Sequence, residues 1–203
     1  MVSSMYLTEE NINKNPFKQF ELWFEEAKLI GLKDPNAMNV ASCSMDGVPS
    51  SRMVLLKAYD EEGFIFYTNY NSRKGVEVIS NPKVALNFFW DALERQIRIE
   101  GEIYKIDREK SDQYFNSRSR LSQLGAHASS QSQIIKNYED LQNKLNAVDE
   151  IFKGKKIPRP KHWGGFIVKP KTIEFWQGHE GRLHDRLKYK KEHNEWVINR
   201  LSP

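Results

Sequence analysis

Apolar positions recur every three or four residues in NPFKQFELWFEEAKLIG, where Phe17, Phe20, Phe24 and Ala27 fall on one side of a helix. Asn15 suits its N-cap, Pro16 its first turn and Gly31 its end. The pattern then changes to strands. AMNVASCSM and SSRMVLLKAY read as a pair joined by a tight turn at Asp46-Gly47. GFIFYTN makes a third, and past a short helix KVALNFFW and RQIRIEGEIYKI make two more. In the last of these, Ile97, Ile99, Gly101 and Ile103 alternate with Gln96, Arg98, Glu100 and Glu102, which predicts one buried face. Strands joined by short turns, mostly without helices between them, point to an antiparallel sheet or barrel.

Residues 107 to 152 read as helical, with an apolar stripe at Ile134, Tyr138, Leu141, Leu145, Val148 and Phe152. The basic stretch KGKKIPRPKHWGG breaks that pattern and reads as a connector. FIVKPKTIEFW, RLHDRLKYKK and EWVINRL return to strands. The order predicts an α+β fold with a closed or nearly closed antiparallel barrel. No repeat or low-complexity segment divides the chain, so residues 1–203 are expected to form one domain, with 1–14 a flexible N-terminus.

Composition narrows the class. The chain has 203 residues, and its 12% aromatic content argues against disorder. Its mean hydropathy of −0.69 is on the polar side for a globular protein. No apolar stretch approaches a membrane span, and MVSSMYLTEENINKN has no signal pattern. The single cysteine, Cys43, cannot form an internal disulfide, so a reducing cytoplasm is the expected compartment. Cys43 itself is expected to be a buried structural thiol. A net charge of +4 favours anionic ligands but is too mild to imply nucleic acid. Neither GxGxxG nor GxxxxGK[ST] occurs, and His127, His162, His179, His184 and His193 lack metal-ligand spacing, so no metal site is expected.

Three clusters could carry chemistry. Ser72 can cap a short helix ending before Asn81-Pro82, which would bring free N–H groups together with Arg73 and Lys74 and suit a phosphate. The alternative is a solvated basic turn. Tyr114, Arg118 and Ser122 are four residues apart and would share a face of a continuous helix, as phosphate donors or as an exposed polar face. In QGHEGRLHDR, a strand would point Arg182, His184 and Arg186 one way and Leu183 and Leu187 the other. That face is equally compatible with plain solvation. Gly164-Gly165 in HWGGF reads as a bulge or close packing.

RMVLLK (52–57), FYTN followed by SRK (66–74), ERQ (94–96), YFNSR with SQLGA (114–126), QS (131–132), HWGGF (162–166), EFWQG (174–178) and RLHDR (182–186) stand in the order found in the pyridoxamine 5'-phosphate oxidase family. The resemblance runs from about Asn15 to Pro203. It implies a split β-barrel homodimer with FMN at the subunit interface. It also implies oxidation of pyridoxamine 5'-phosphate or pyridoxine 5'-phosphate to pyridoxal 5'-phosphate, with dioxygen reoxidising the flavin and yielding hydrogen peroxide.

By this resemblance Arg52, Met53, Val54, Leu55, Leu56 and Lys57 line the flavin, with Tyr67, Thr68, Arg73 and Lys74 beside them. Gln96, Gln131, Ser132, Trp176 and Arg186 complete the cofactor set, some from the second subunit. Lys57, Tyr114, Arg118 and Ser122 are implied to hold the substrate phosphate, and Arg182, Leu183 and His184 to meet its pyridine ring, with Arg182 and His184 as the catalytic pair. No metal, nucleic acid or membrane partner is implied; KGKKIPRPK and KYKK keep a nucleic-acid-binding reading as one rival, and a non-catalytic flavin or pyridoxal phosphate carrier is another. Regular strand parity would send Arg52 and Lys57 to opposite faces, so a twist, bulge or strand end must bring both to the site. Two departures stand out: Ser119 occupies a position where proline is usual, and Ser3 to Tyr6 do not resemble the Arg-rich stretch that many members carry upstream of the first helix.

Overall fold

A computed structural model describes residues 6–203. Helix α1 (Pro16–Leu29) begins where Asn15 Oδ1 accepts from the Phe17 and Lys18 N–H groups at 2.9 and 3.4 Å. It ends at Ile30, with Gly31 left-handed at φ +78°. The strands are β1 (Ala37–Cys43), β2 (Pro49–Leu55), β3 (Ala58–Asp60), β4 (Gly63–Asn69), β5 (Lys83–Trp90), β6 (Arg95–Lys105), β7 (Trp163–Gln177), β8 (Asp185–Glu192) and β9 (Glu195–Arg200). Helix α2 (Arg73–Ser80) lies between β4 and β5, and α3 (Arg108–Ser117), α4 (Arg120–Ala128) and α5 (Tyr138–Ile151) lie between β6 and β7.

All pairings are antiparallel, in the order β2-β1-β5-β6-β7-β4-β3, with β8 and β9 branching from β7. The branch arises because β7 is 15 residues long. Its first half pairs with β4 and its second with β8, while β6 runs along its other edge. Pro170 sits between the halves, where the β6 register shifts at Glu100/Gly101. A Cβ on Gly101 would lie 2.2 Å from the Lys169 carbonyl oxygen, so only glycine fits this approach.

The two ends of the sheet are consecutive in the chain. Leu56 N–H donates to Asn36 O on the β1 side, and Lys57 N–H donates to Ile65 O on the β4 side, both at 2.8 Å. The step from Leu56 to Lys57 therefore closes the barrel covalently. Phe20 is fully buried beneath α1, with Tyr59, Phe64 and Phe88 edge-on to it at 4.8 to 5.3 Å. A second, smaller cluster of Phe115, Leu124, Ile157 and Trp163 holds α3 and α4 against the sheet.

Four expectations need correction. The helical region 107–152 is three helices, and Ile134 lies fully exposed in a loop because no packed surface passes beneath it. RLHDR is not a strand throughout: Glu180–Arg182 form a 3-10 turn and β8 begins only at Asp185. The expected flexibility of 1–14 does not describe residues 6–14, where Leu7 and Ile12 are buried and Leu7 N–H donates to Asp185 Oδ2 at 2.8 Å; residues 1–5, including Ser3 to Met5, lie outside the described residues. Cys43 is half-buried rather than buried, since it alternates onto the outer face of β1. Gly164-Gly165 is close packing as expected, with a Cβ on Gly164 falling 2.1 Å from the Tyr70 hydroxyl. Among the described residues no helix is long and apolar enough to cross a membrane.

Candidate active site

A cavity of about 870 Å³ opens along β2, between β4, the start of α2 and the α3–α4 break. Its size is in the ordinary range for cofactor sites, ~300–1,000 Å³. Among the described residues strand β2 pairs only with β1, which leaves its other edge facing the cavity. Arg52, Met53, Val54, Leu55, Lys57, Tyr67, Thr68, Arg73, Lys74, Gln131 and Ser132 all line it. So do Tyr114, Arg118 and Ser122. Leu56 does not: it turns into the barrel core, 4% exposed, at the closing step. That same step settles the parity conflict, because β2 stops at Leu55 and Lys57 is no longer in register with Arg52.

Ser72 caps α2, accepting from the Gly75 N–H at 3.3 Å. Behind it Lys74 is buried, and its Nζ donates to Thr68 Oγ1 at 2.6 Å and to Gln131 Oε1 at 3.3 Å. Burial, helped by the Arg52 charge, pushes this ammonium down to about 8. An anion bound beside it would stabilise the protonated form. Affinity for a phosphate monoester dianion is therefore expected to be complete below pH 8 and to fall as pH rises through it. Titration from pH 7 to 10 checks this, and a flat wild-type profile, or a fall that persists in Lys74→Met, would exclude Lys74 as the titrating cation.

Glu77 organises the cations. Its Oε2 accepts from Ser42 and Ser50 hydroxyls at 2.5 Å each and from Arg52 Nη2 at 3.3 Å, while Oε1 accepts from Arg73 Nε at 2.8 Å. Burial alone would raise its pKa, but those hydroxyls and guanidinium groups outweigh it and bring it down to about 2. Sequence reading missed Glu77. Its i,i+4 spacing from Arg73 was a signal, but its partners on β1 and β2 were not readable from local sequence.

Flat groups form the floor. Tyr67 and Tyr114 stack at 3.8 Å, Trp163 lies near parallel to both, and the Arg118 guanidinium sits 4.6 Å from the Trp163 ring. Tyr114, Arg118 and Ser122 meet by a different geometry from the continuous helix expected. Arg118 is extended (ψ 152°) at the end of α3, and Ser119 starts α4 by accepting from the Ser122 N–H at 3.3 Å. Ser119 has φ −56°, a value proline would also take, so the hydroxyl cap does here what a ring constraint does elsewhere. Arg118 Nη1 is buried without a hydrogen-bond partner. Such an atom is costly unless a ligand supplies the acceptor.

The remaining expected residues form a second group away from this cavity. Gln96, Trp176 and Arg186 are cross-strand neighbours on the outer face of β6, β7 and β8. Arg186 Nε donates to Glu174 Oε1 at 2.8 Å, and the His184 ring lies 4.6 Å from that of Trp176. Arg182 and Leu183 are exposed on the preceding turn. The expected site residues therefore fall into two groups on one chain. Among the described residues no cluster of three or more His, Cys, Asp or Glu side chains could hold a metal.

The model of the pyridoxamine 5'-phosphate oxidase family matches residues 24–151, and that of the pyridoxine 5'-phosphate oxidase C-terminal dimerisation region matches 163–203. The pyridoxine/pyridoxamine 5'-phosphate oxidase of Gloeothece citriformis is 54% identical over 97% of this chain and 92% of its own length. That of Haemophilus influenzae is 50% identical, over 97% and 93%. The solved structure of PhzG from Burkholderia lata 383, in complex with tetrahydrophenazine-1-carboxylic acid, superposes with a TM-score of 0.92 at 27% identity, covering 98% of each chain. With the split barrel, the cation-lined cavity and sequence identity of this extent, the chain belongs to the pyridoxine/pyridoxamine 5'-phosphate oxidase family.

Proposed function

We propose that this chain acts as one domain, an FMN-dependent oxidase converting pyridoxamine 5'-phosphate and pyridoxine 5'-phosphate to pyridoxal 5'-phosphate, with dioxygen as acceptor and hydrogen peroxide as product. One observation carries the reading: a single cavity holds two separate phosphate-directed sets. Arg52, Arg73 and Lys74 gather around the start of α2, while Tyr114, Arg118 and Ser122 lie at the α3–α4 break with Lys57 lining the same cavity from the barrel-closing step. A phosphorylated cofactor and a phosphorylated substrate account for both.

The donor set suits FMN. The first turn of α2 and its cations would take the phosphate, and Thr68, Gln131 and Ser132 lie beside them. The free edge of β2, from Arg52 to Leu55, offers backbone donors and acceptors to the polar rim of a flavin ring. When bound, the flavin supplies the redox chemistry, accepting two electrons from the substrate and passing them to dioxygen. Lys57 and Arg118 offset the substrate phosphate, which is roughly doubly charged near neutral pH. Gripping that end orients the ring and turns binding into alignment. Arg182 and His184 then steer the pyridine ring and stabilise charge that develops there.

The protein is a homodimer, in keeping with the dimerisation region over β7 to β9. In our reading FMN lies between subunits, with Gln96, Trp176 and Arg186 of one chain completing the cavity of the other. The outer sheet face supports this: Met53, Leu55 and Phe89 are exposed on it, and the Asn87 side-chain oxygen on the same face is buried without a donor. Dilution to monomers should then release flavin, and a stable monomer that keeps its flavin would contradict the shared site. A reducing cytoplasm suits the lone Cys43. The activity itself is tested by the visible spectrum of the purified protein. Its flavin band should bleach on anaerobic addition of pyridoxamine 5'-phosphate, and retained flavin that does not bleach would favour a carrier instead.

A further inference from the structure

We propose that His179 and Asp185 are positioning residues that latch the segment Tyr6–Glu9 onto the turn carrying Arg182 and His184, and hold His184 with Nδ1 as a hydrogen-bond acceptor. His179 stands in QGHEGRLHDR beside the expected site residues but is not one of them. Its place in the fold gives it a role.

Asp185 is 8% exposed and accepts three hydrogen bonds from three parts of the chain. Oδ2 takes the Leu7 N–H at 2.8 Å and His179 Nε2 at 2.7 Å, and Oδ1 takes Arg200 Nη1 at 2.8 Å. Arg200 reaches on to Leu7 O at 2.8 Å and Glu9 Oε2 at 2.9 Å. The Tyr6 ring lies 4.8 Å from that of His179. The β8 start, the last residue of β9 and the N-terminal segment are thus tied at one carboxylate.

The tie reaches the active-site turn through the backbone of His179, whose N–H donates to His184 Nδ1 at 3.1 Å. A proton on Nδ1 would face that N–H, so the ring carries its proton on Nε2 and presents it as a donor. The turn needs outside support. Gly181 and Arg182 are both left-handed, at φ +67° and +60°, a conformation that is strained for arginine. With the latch engaged, His184 is held directly through the His179 backbone, and Arg182 through the turn that joins them. The catalytic consequence rests on the proposed role of His184 at the substrate ring, whereas the latch does not.

The test uses the flavin-loaded protein with His179→Phe, which keeps a ring against Tyr6 but removes the bond to Asp185, and His179→Gln, whose side-chain N–H can still reach it. His179→Phe is expected to slow turnover of pyridoxamine 5'-phosphate about tenfold while KM stays within about twofold, and His179→Gln to recover most of the loss. Amide exchange at Leu7 should quicken in His179→Phe, and nitrogen NMR of the wild type should find the His184 proton on Nε2. Unchanged turnover and unchanged Leu7 exchange in His179→Phe, or a wild-type His184 protonated on Nδ1, would overturn the proposal. Should the wild type hold flavin yet fail to oxidise the substrate, the functional reading fails, while exchange and NMR still decide the latch.

Discussion

Replacing Arg118 with leucine is expected to raise KM for pyridoxamine 5'-phosphate about 100-fold while kcat changes little. The guanidinium can make charge-assisted hydrogen bonds to phosphate worth roughly 1.5–3 kcal/mol each, and each ~1.4 kcal/mol is tenfold in affinity. Its buried Nη1 has no partner among the described residues, so the group is already desolvated and able to take a ligand acceptor. Stacking on Trp163 at 4.6 Å fixes its plane, and its extended backbone at the α3–α4 break sets its direction. Arg182→Leu is expected to do the opposite, lowering kcat with KM nearly unchanged, because Arg182 lies on the exposed turn away from both phosphate sets. Steady-state kinetics of the two variants separate these roles. Equal, small effects in both would sink the assignment.

Glu77→Ala is expected to weaken flavin binding by at least about tenfold and to lower stability by roughly 1–3 kcal/mol, less than for a fully buried ion pair because the Arg52 and Arg73 side chains are 21% and 59% exposed. A carboxylate near a phosphate site is electrostatically unfavourable for the phosphate, so its use must lie in geometry. Here it pins Arg52 and Arg73 from one side and gathers Ser42 and Ser50 from the other. Without it two cations lose their orientation and their common counter-charge. The same carboxylate makes stability pH-dependent. Its folded pKa, about 2, lies below the ordinary 4.5, so its contribution is complete above pH 4.5 and is lost as pH falls toward 2. Flavin fluorescence titration and thermal unfolding against pH check both effects. An Ala variant with an intact fold and unaltered flavin affinity would remove Glu77 from the site.

Much of this architecture is legible from local chemistry. Asn15 and Ser72 cap helices because a short polar side chain before an apolar period can satisfy free N–H groups wherever it occurs. Ile97 and Ile99 are buried because alternation needs only a strand and a core. Tyr114, Arg118 and Ser122 line one cavity, but not by the geometry their spacing suggests. Their spacing suggested a helix face, yet it is the break at Ser119 that turns Arg118 toward the cavity. RLHDR is not a strand throughout because Gly181 and Arg182 adopt left-handed backbone, and the segment's own Asp185 is bonded to Leu7 and His179, which lie outside it.

Helix and strand periods, caps, charge balance and the phosphate-directed residue types were therefore determined by the sequence itself, since each depends on neighbours within a turn or a strand. Which of those residues share one cavity was decided by the tertiary structure alone. The barrel closes at Leu56–Lys57, and that step brings Lys57 beside a strand whose parity would have excluded it. The role of Glu77 depends on β1 and β2, and that of His179 on an aspartate reached also by the N-terminus and by Arg200. Contacts between residues far apart in the chain leave no periodicity behind. They exist only once the sheet has curled and joined its ends.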